Sequence, residues 1–209
     1  MQQAKPLIPI AVFLTVACGF SAARTHAIPS VPAEDDEYAV YSAAIRVMNP
    51  EPKVKLLDAR LGVFVIEDLS QLHSYDMDYL QRTLKDWIES KIGLAPSTVD
   101  DFWRQNARPK QLRPQFDISN RYALVSPADL KAIFSQPSCR DSWASFNSRY
   151  PHAAGLTRLS AVGFDAEHRQ ALVLIALTCG SLCGSADCLF LVKDNNYWSL
   201  VRKESIWVS

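Results

Sequence analysis

The sequence predicts an α+β domain in which short N-terminal helices pack on a C-terminal antiparallel meander sheet. Helical spacing and helix-cap chemistry dominate the first two thirds of the chain. Strand-like runs separated by polar turns fill the last third, an order of elements that suits an α+β layer fold. Of 209 residues 48% are apolar and only 21% charged, with nine Phe, seven Tyr and five Trp. That composition supplies a sizeable core and excludes a low-complexity or disordered chain.

Taken in order, the chain opens with a short basic start ending at Lys5, followed by the uncharged apolar run Leu7 to Phe20. The run falls short of the ~20 apolar residues of a membrane span but has the length of a signal-peptide core. Thr25-His26-Ala27 before Ile28-Pro29 predicts cleavage after Ala27, with Ser21-Ala22-Ala23 as a second option. Residues 1–27 are therefore read as a signal peptide, 28–36 as an extended lead-in and 37–209 as one domain, secreted or periplasmic. Leu14-Thr15-Val16-Ala17-Cys18 looks like a bacterial lipoprotein box with Thr15 where Leu is usual, so lipid anchoring through Cys18 is the minor alternative. No other stretch approaches a membrane span.

Tyr38, Tyr41, Ile45 and Met48 recur at helical spacing before Asn49-Pro50, predicting a helix over Glu37 to Met48. The portion Gly62 to Ile66 reads as a buried strand. Leu80, Leu84, Trp87, Ile88 and Ile92 mark a helix starting near Asp76 and ending before Gly93 and Pro96. Three helix starts then follow one pattern: Ser97, Ser126 and Ser138 each stand three residues before an acid. A hydroxyl at the cap accepts from a free backbone N–H, and the carboxylate favours the positive end of the helix dipole. Leu156 to Phe164, Gln170 to Thr178, Asp187 to Lys193 and Tyr197 to Arg202 are the four strand runs, with Ile206 to Val208 as a further terminal strand.

The 22 basic and 22 acidic residues balance. Removing the leader takes Lys5 and Arg24 but no acid, leaving 20 against 22 and a formal charge of −2. Nothing in this balance provides the clustered basic face that nucleic acid requires, so no nucleic-acid partner is expected. The set Arg104, Arg108, Lys110 and Arg113 reads as a solvated loop, Asp35-Asp36 as a solvated stretch beside the leader, and Asp100-Asp101 as first-turn helix acids.

Cleavage also removes Cys18 and leaves four cysteines, an even number that in an exported chain points to disulfides. Four cysteines allow three pairings. The expected set is Cys179–Cys183, closing a glycine-rich turn, and Cys139–Cys188, tying helices to sheet. A redox dithiol would more commonly use Cys-x-x-Cys at a helix start, whereas Cys179 and Cys183 have three residues between them after a strand. A zinc site lacks a second ligand pair, and no metal or cofactor is expected. His73, His152 and His168 are the histidines available as a base for a Cys nucleophile, and none lies in a recognisable catalytic motif. No nucleophile elbow, Walker loop, His-Glu-x-x-His or dinucleotide-binding glycine set occurs.

Tyr150-Pro151 with Gly155, Leu159-Ser160-x-Val162-Gly163-Phe164-Asp165, Ala171-Leu172-Val173, Cys179-Gly180-Ser181-Leu182-Cys183-Gly184 and the closing Trp207-Val208-Ser209 follow one another in the sequence. In this order they resemble a family of exported bacterial proteins to which no function is assigned. The resemblance covers mainly residues 143–209, with weaker likeness through Asp101-Phe102-Trp103. In that family glycine and aromatic residues follow the Cys-Gly segment, whereas here Ser185-Ala186-Asp187-Cys188 follows, and the extra Cys188 supports a second bridge particular to this chain. The resemblance implies an exported α+β domain and supplies no activity.

The reading these features support is a disulfide-stabilised, non-catalytic binding protein of the cell envelope, with an envelope partner or a small ligand. Its candidate surface is the segment from Gly180 through Ser181 and Gly184 to Asp187, with Tyr150, His152 and Ser160 nearby. The alternative is an envelope enzyme, a thiol oxidoreductase or hydrolase using Cys179 or Cys183.

Overall fold

The strand spanning Gln170–Gly180 decides the architecture, because its side chains are buried alternately on both faces of a sheet. A strand covered on both faces reads as an unbroken apolar run rather than an alternating one, which is why Ala171 to Leu177 carries no polar residue. The computed structural model describes residues 33–48, 63–72, 77–90, 92–119 and 121–209, all within one compact unit, Val31–Ser209. The leader, its cleavage point, Cys18, Gly62, His73 and Asp76 lie outside the described residues.

The described helices are α1 (Ala33–Met48), α2 (Met77–Glu89), α3 (Pro96–Gln105), α4 (Pro127–Phe134) and α5 (Cys139–Arg149). The strands are β1 (Val63–Glu67), β2 (Leu69–Ser70), β3 (Lys110–Gln111), β4 (Tyr122–Val125), β5 (Ala153–Leu159), β6 (Gly163–Phe164), β7 (Gln170–Gly180), β8 (Cys183–Asp194) and β9 (Tyr197–Val208). The main sheet has the order β4-β1-β5-β7-β8-β9, and β6 also pairs with β7. The α+β class stands, and β7-β8-β9 is the expected C-terminal meander. The other half of the sheet differs from expectation. β4, β1 and β5 run parallel, and the α4–α5 pair crosses over β1 to connect β4 with β5. Val65, Val125, Leu130, Ile133, Phe146 and Leu156 bury that crossover in one cluster.

Helices cover both faces. Tyr38, Tyr41 and Ile45 of α1 pack with Val173, Ile175 and Leu191 on one side. Leu80, Leu84 and Trp87 of α2 and Phe102 of α3 pack with Leu172, Leu174 and Phe190 on the other. Each fully buried large apolar side chain of this kind contributes about 1.5–3 kcal/mol relative to exposure.

Local rules account for most element boundaries. Ser126 and Ser138 cap α4 and α5 as expected, each accepting from the backbone N–H of the acid three residues on at 3.1 Å. The third cap does not form at Ser97. The helix starts at Pro96, whose missing N–H is no loss in the first turn, and Ala95 at the cap has no side-chain hydrogen bond. Gln170 from β7 serves this end instead, accepting from Ala95 N at 2.8 Å and Thr98 Oγ1 at 3.3 Å. α1 begins at Ala33, so residues 33–36 are helical and not part of an extended lead-in.

The expected strand over Leu156 to Phe164 is divided. β5 and β6 lie end to end on one edge of β7, and Asn106 draws the intervening segment out by bonding both Ala161 N (2.8 Å) and Ala161 O (2.9 Å). The two expected terminal strands are instead a single β9, with register slips at Val201 and Ile206.

Candidate functional site

The two ends of β7 carry the two sites with chemical character. At its start, α1, α3, β3 and the turn between β6 and β7 surround a cleft of about 400 Å³. Ser97, Asp101, Arg104 and Gln105 line it from α3, at spacings that place them on one helix face. Gly163 lets β6 approach that helix, since a Cβ there would lie 2.4 Å from the Phe102 backbone. Asp101 then accepts from Phe164 N at 2.8 Å. Its carboxylate thus anchors β6 and does more than complement its own helix dipole.

Three nitrogen groups that line the cleft, those of Arg104, Lys110 and His168, are each backed by a carboxylate. Asp101 bonds Arg104, Glu37 bonds Lys110 at 2.7 Å, and Asp36 faces His168 Nδ1 at 3.5 Å while holding Lys193 at 2.5 Å. The carboxylate side chains are 11%, 8% and 7% exposed, whereas Arg104, Lys110 and His168 are 74%, 49% and 37% exposed. The acids lie beneath and the nitrogen groups point outward. Asp36 is therefore not in a solvated stretch: the first turns of α1 dock beside β8, whose Lys193 neutralises it.

Behind Glu37, Tyr41 donates to its Oε1 at 3.0 Å. Burial, and secondarily the Glu37 charge, hold the Tyr41 phenol well above its ordinary range. His168 adopts a left-handed backbone (φ 51°) at the end of the turn that begins at Asp165, and its ring stacks on Phe164 at 4.5 Å and 10°. Asp165 Oδ1 fastens the turn by accepting from Arg169 N and Gln170 N at 2.7 and 2.6 Å.

At the other end of β7, Cys179 and Cys183 form a disulfide across a turn whose outermost residues are Ser181 and Leu182. Leu182 is 85% exposed. Ser185 pairs with Val208 and Ala186 with Trp207, so the end of β9 adds a second exposed apolar residue, Val208. Gly184 is required here because a Cβ would meet the Trp207 ring at 2.9 Å. Gly155 on β5 similarly fits against Thr178 O, which brings the preceding residues, His152 and the α5-terminal Tyr150, to this same end.

His152, Gly180, Ser181 and Gly184 lie toward one end of the sheet, with Tyr150 packed on Phe146 of α5, and two residues of the expected surface are buried elsewhere. Ser160 is 1% exposed and serves the sheet, accepting from Leu174 N at 2.8 Å. Asp187 is 3% exposed within β8, beside Lys203 at 3.4 Å, because the expected loop is strand from Cys183 onward. Both are corrections to the sequence reading. The expected Cys139–Cys188 bridge is also absent. Both thiols are free, Cys139 exposed at the start of α5 and Cys188 sealed beneath the α2–α3 cluster. Burial pushes the Cys188 thiol far up, with the nearby Glu204 and Asp187 charges adding to it, so it is held as an inert protonated thiol.

No family model, curated protein or solved structure matches the chain. Among the described residues, no group of His, Cys, Asp and Glu has the arrangement of a metal site, and no helix is long and apolar enough to cross a membrane. The sequence reading missed the cleft. Four of its lining residues stood out in the sequence but apart from one another, Arg104 and Lys110 as members of a solvated loop, Asp101 as a first-turn acid and His168 as a histidine outside any motif.

Proposed function

We propose that the protein is an exported, disulfide-stabilised binding protein of the cell envelope, and that it engages a partner through the bridged tip of the β7–β8 hairpin. The observation that carries this reading is Leu182, 85% exposed and held at the outermost point of a turn closed by Cys179–Cys183. A large apolar side chain on a covalently restrained turn loses little conformational entropy on docking, so its burial translates efficiently into affinity. Val208 and the half-buried Trp207 extend the apolar area beside it. The bridge also favours an oxidising compartment and leaves neither Cys179 nor Cys183 as a thiolate, which weighs against a hydrolase that uses either as nucleophile.

Two measurements on the protein in its native host test this. Thiol alkylation without reductant, read by mass spectrometry, is expected to label Cys139 and spare Cys179 and Cys183. Rapid labelling of either bridge cysteine in the folded protein favours the enzyme instead. A photo-crosslinking residue in place of Leu182 is expected to capture a discrete envelope partner that the same residue at exposed Lys85 of α2 does not. Equal capture at both positions removes the tip from consideration.

A further inference from the structure

From the cleft at the start of β7 we infer a second, independent binding site, for a small organic oxyanion, carboxylate or phosphate, carried on a flat apolar body. Three nitrogen groups at the cleft are each backed by a buried carboxylate. Arg104, Lys110 and His168 present guanidinium, ammonium and imidazole groups to solvent, while Asp101, Glu37 and Asp36 hold them from below and are almost wholly buried. Arginine has five N–H donors and lysine three, so an ion pair beneath either one leaves donors free to meet an acceptor from above. The Arg104 and Lys110 pairs act as dipoles with their positive ends outward.

The first turn of α3 adds to this field, since Ser97 brings the positive end of the helix dipole to the cleft wall. The lining carboxylate Asp165 is taken up by the backbone N–H groups of Arg169 and Gln170; at Asp101 or Glu37 a metal cation would have to displace Arg104 or Lys110, whereas an oxyanion adds an acceptor without breaking either pair. The remaining wall determines the rest of the ligand. Phe164 and His168, stacked nearly parallel, give the cleft a flat surface suited to a ring or planar chain. A volume of about 400 Å³ lies within the range of small-molecule sites and is too small for a folded partner.

The positioning is rigid. Asp101 is fixed by Phe164 N, Glu37 by the buried Tyr41 hydroxyl, and Asp36 by Lys193. The donors are therefore oriented before ligand arrives, which lowers the cost of binding. This site does not depend on the hairpin tip, and either can fail without the other.

The test is a two-dimensional NMR titration of the full mature chain with benzoate and with phenyl phosphate. Saturable amide shifts confined to Ser97, Asp101 to Gln105 and Val162 to His168 are expected for at least one probe. Response to benzoate alone narrows the ligand to carboxylates, and to phenyl phosphate alone, to phosphates. Arg104→Gln and Lys110→Gln are each expected to weaken binding about tenfold, the loss of one charge-assisted hydrogen bond. Because Lys110 lies on a different element, its variant still decides the matter if Arg104→Gln does not fold. Leu182→Ser is expected to bind as the parent does. The inference is overturned if neither anion gives saturable shifts, if the shifts centre elsewhere, if both glutamine variants bind like the parent, or if calcium perturbs the cleft amides and the anions do not.

Discussion

The two ends of β7 lie about 30 Å apart at strand rise and are stabilised in opposite ways. At the hairpin tip, a covalent bond joins residues four apart, and the surroundings are small or apolar: Gly180, Ser181, Leu182 and Gly184. At the cleft, Lys110 meets Glu37 across 73 residues, and Lys193 meets Asp36 across 157. A feature made from neighbours in the chain closes a short loop and survives local disturbance. One made from distant segments exists only once the whole core has formed. The tip is therefore expected to tolerate loss of the cleft, and the cleft to respond to core damage on the opposite side of α3.

The largest effect is expected from Phe102→Ala. Phe102 is fully buried, with its ring against Trp103 and its backbone against Gly163, and truncation should cost about 3–5 kcal/mol in urea unfolding. It should also abolish oxyanion binding while leaving Cys179–Cys183 resistant to alkylation. Retained cleft binding in this variant would show that α3 is positioned by something other than its core side chain. Replacing both Cys179 and Cys183 by Ser should cost less, about 2 kcal/mol for so short a loop in the chain-entropy model, and should leave the cleft titration unchanged.

Next in size is the alkaline limb. The Tyr41 and Cys188 pKa values are raised in the folded state, so both groups keep their protons when the unfolded chain would lose them. Their contribution is complete below the unfolded thiol and phenol ranges, about 8.5 and about 10, and is lost as pH rises above them. Each group should remove about 1.4 kcal/mol by one pH unit above its unfolded value. Tyr41→Phe should flatten the higher of the two steps, and an unchanged pH profile in that variant would assign the loss elsewhere. The smallest effect on stability is expected for Leu182→Ala, within about 0.5 kcal/mol by thermal unfolding, because an exposed side chain has little burial to lose. A larger loss would mean that Leu182 supports the hairpin itself.

The sequence by itself determined what depends on near neighbours. Ser126 and Ser138 could be recognised as caps because cap and N–H lie three residues apart. The Cys179–Cys183 turn and the β7-β8-β9 meander were legible because each joins adjacent segments. The apolar spacing of Leu80, Leu84 and Trp87 correctly marked the buried face of α2. Tertiary structure decided the rest. Gln170 took over the cap that Ser97 was expected to provide, since a side chain from β7 reaches the α3 terminus once β6 and β7 are packed against it. The parallel placement of β4 beside β1 follows from burying the α4–α5 crossover, which no four-residue strand announces. Cys139 and Cys188 stayed apart because helix and strand placed one thiol in solvent and the other in the core. Glu37 and His168, far apart in the linear chain, came to line one cleft, with Asp36 buried behind His168, through the docking of α1 against the sheet. Residue type and spacing encode hydrogen bonds within a turn of helix or a tight hairpin. The charge pairs of the cleft depend on loop closures of many tens of residues, whose outcome only the packed core selects.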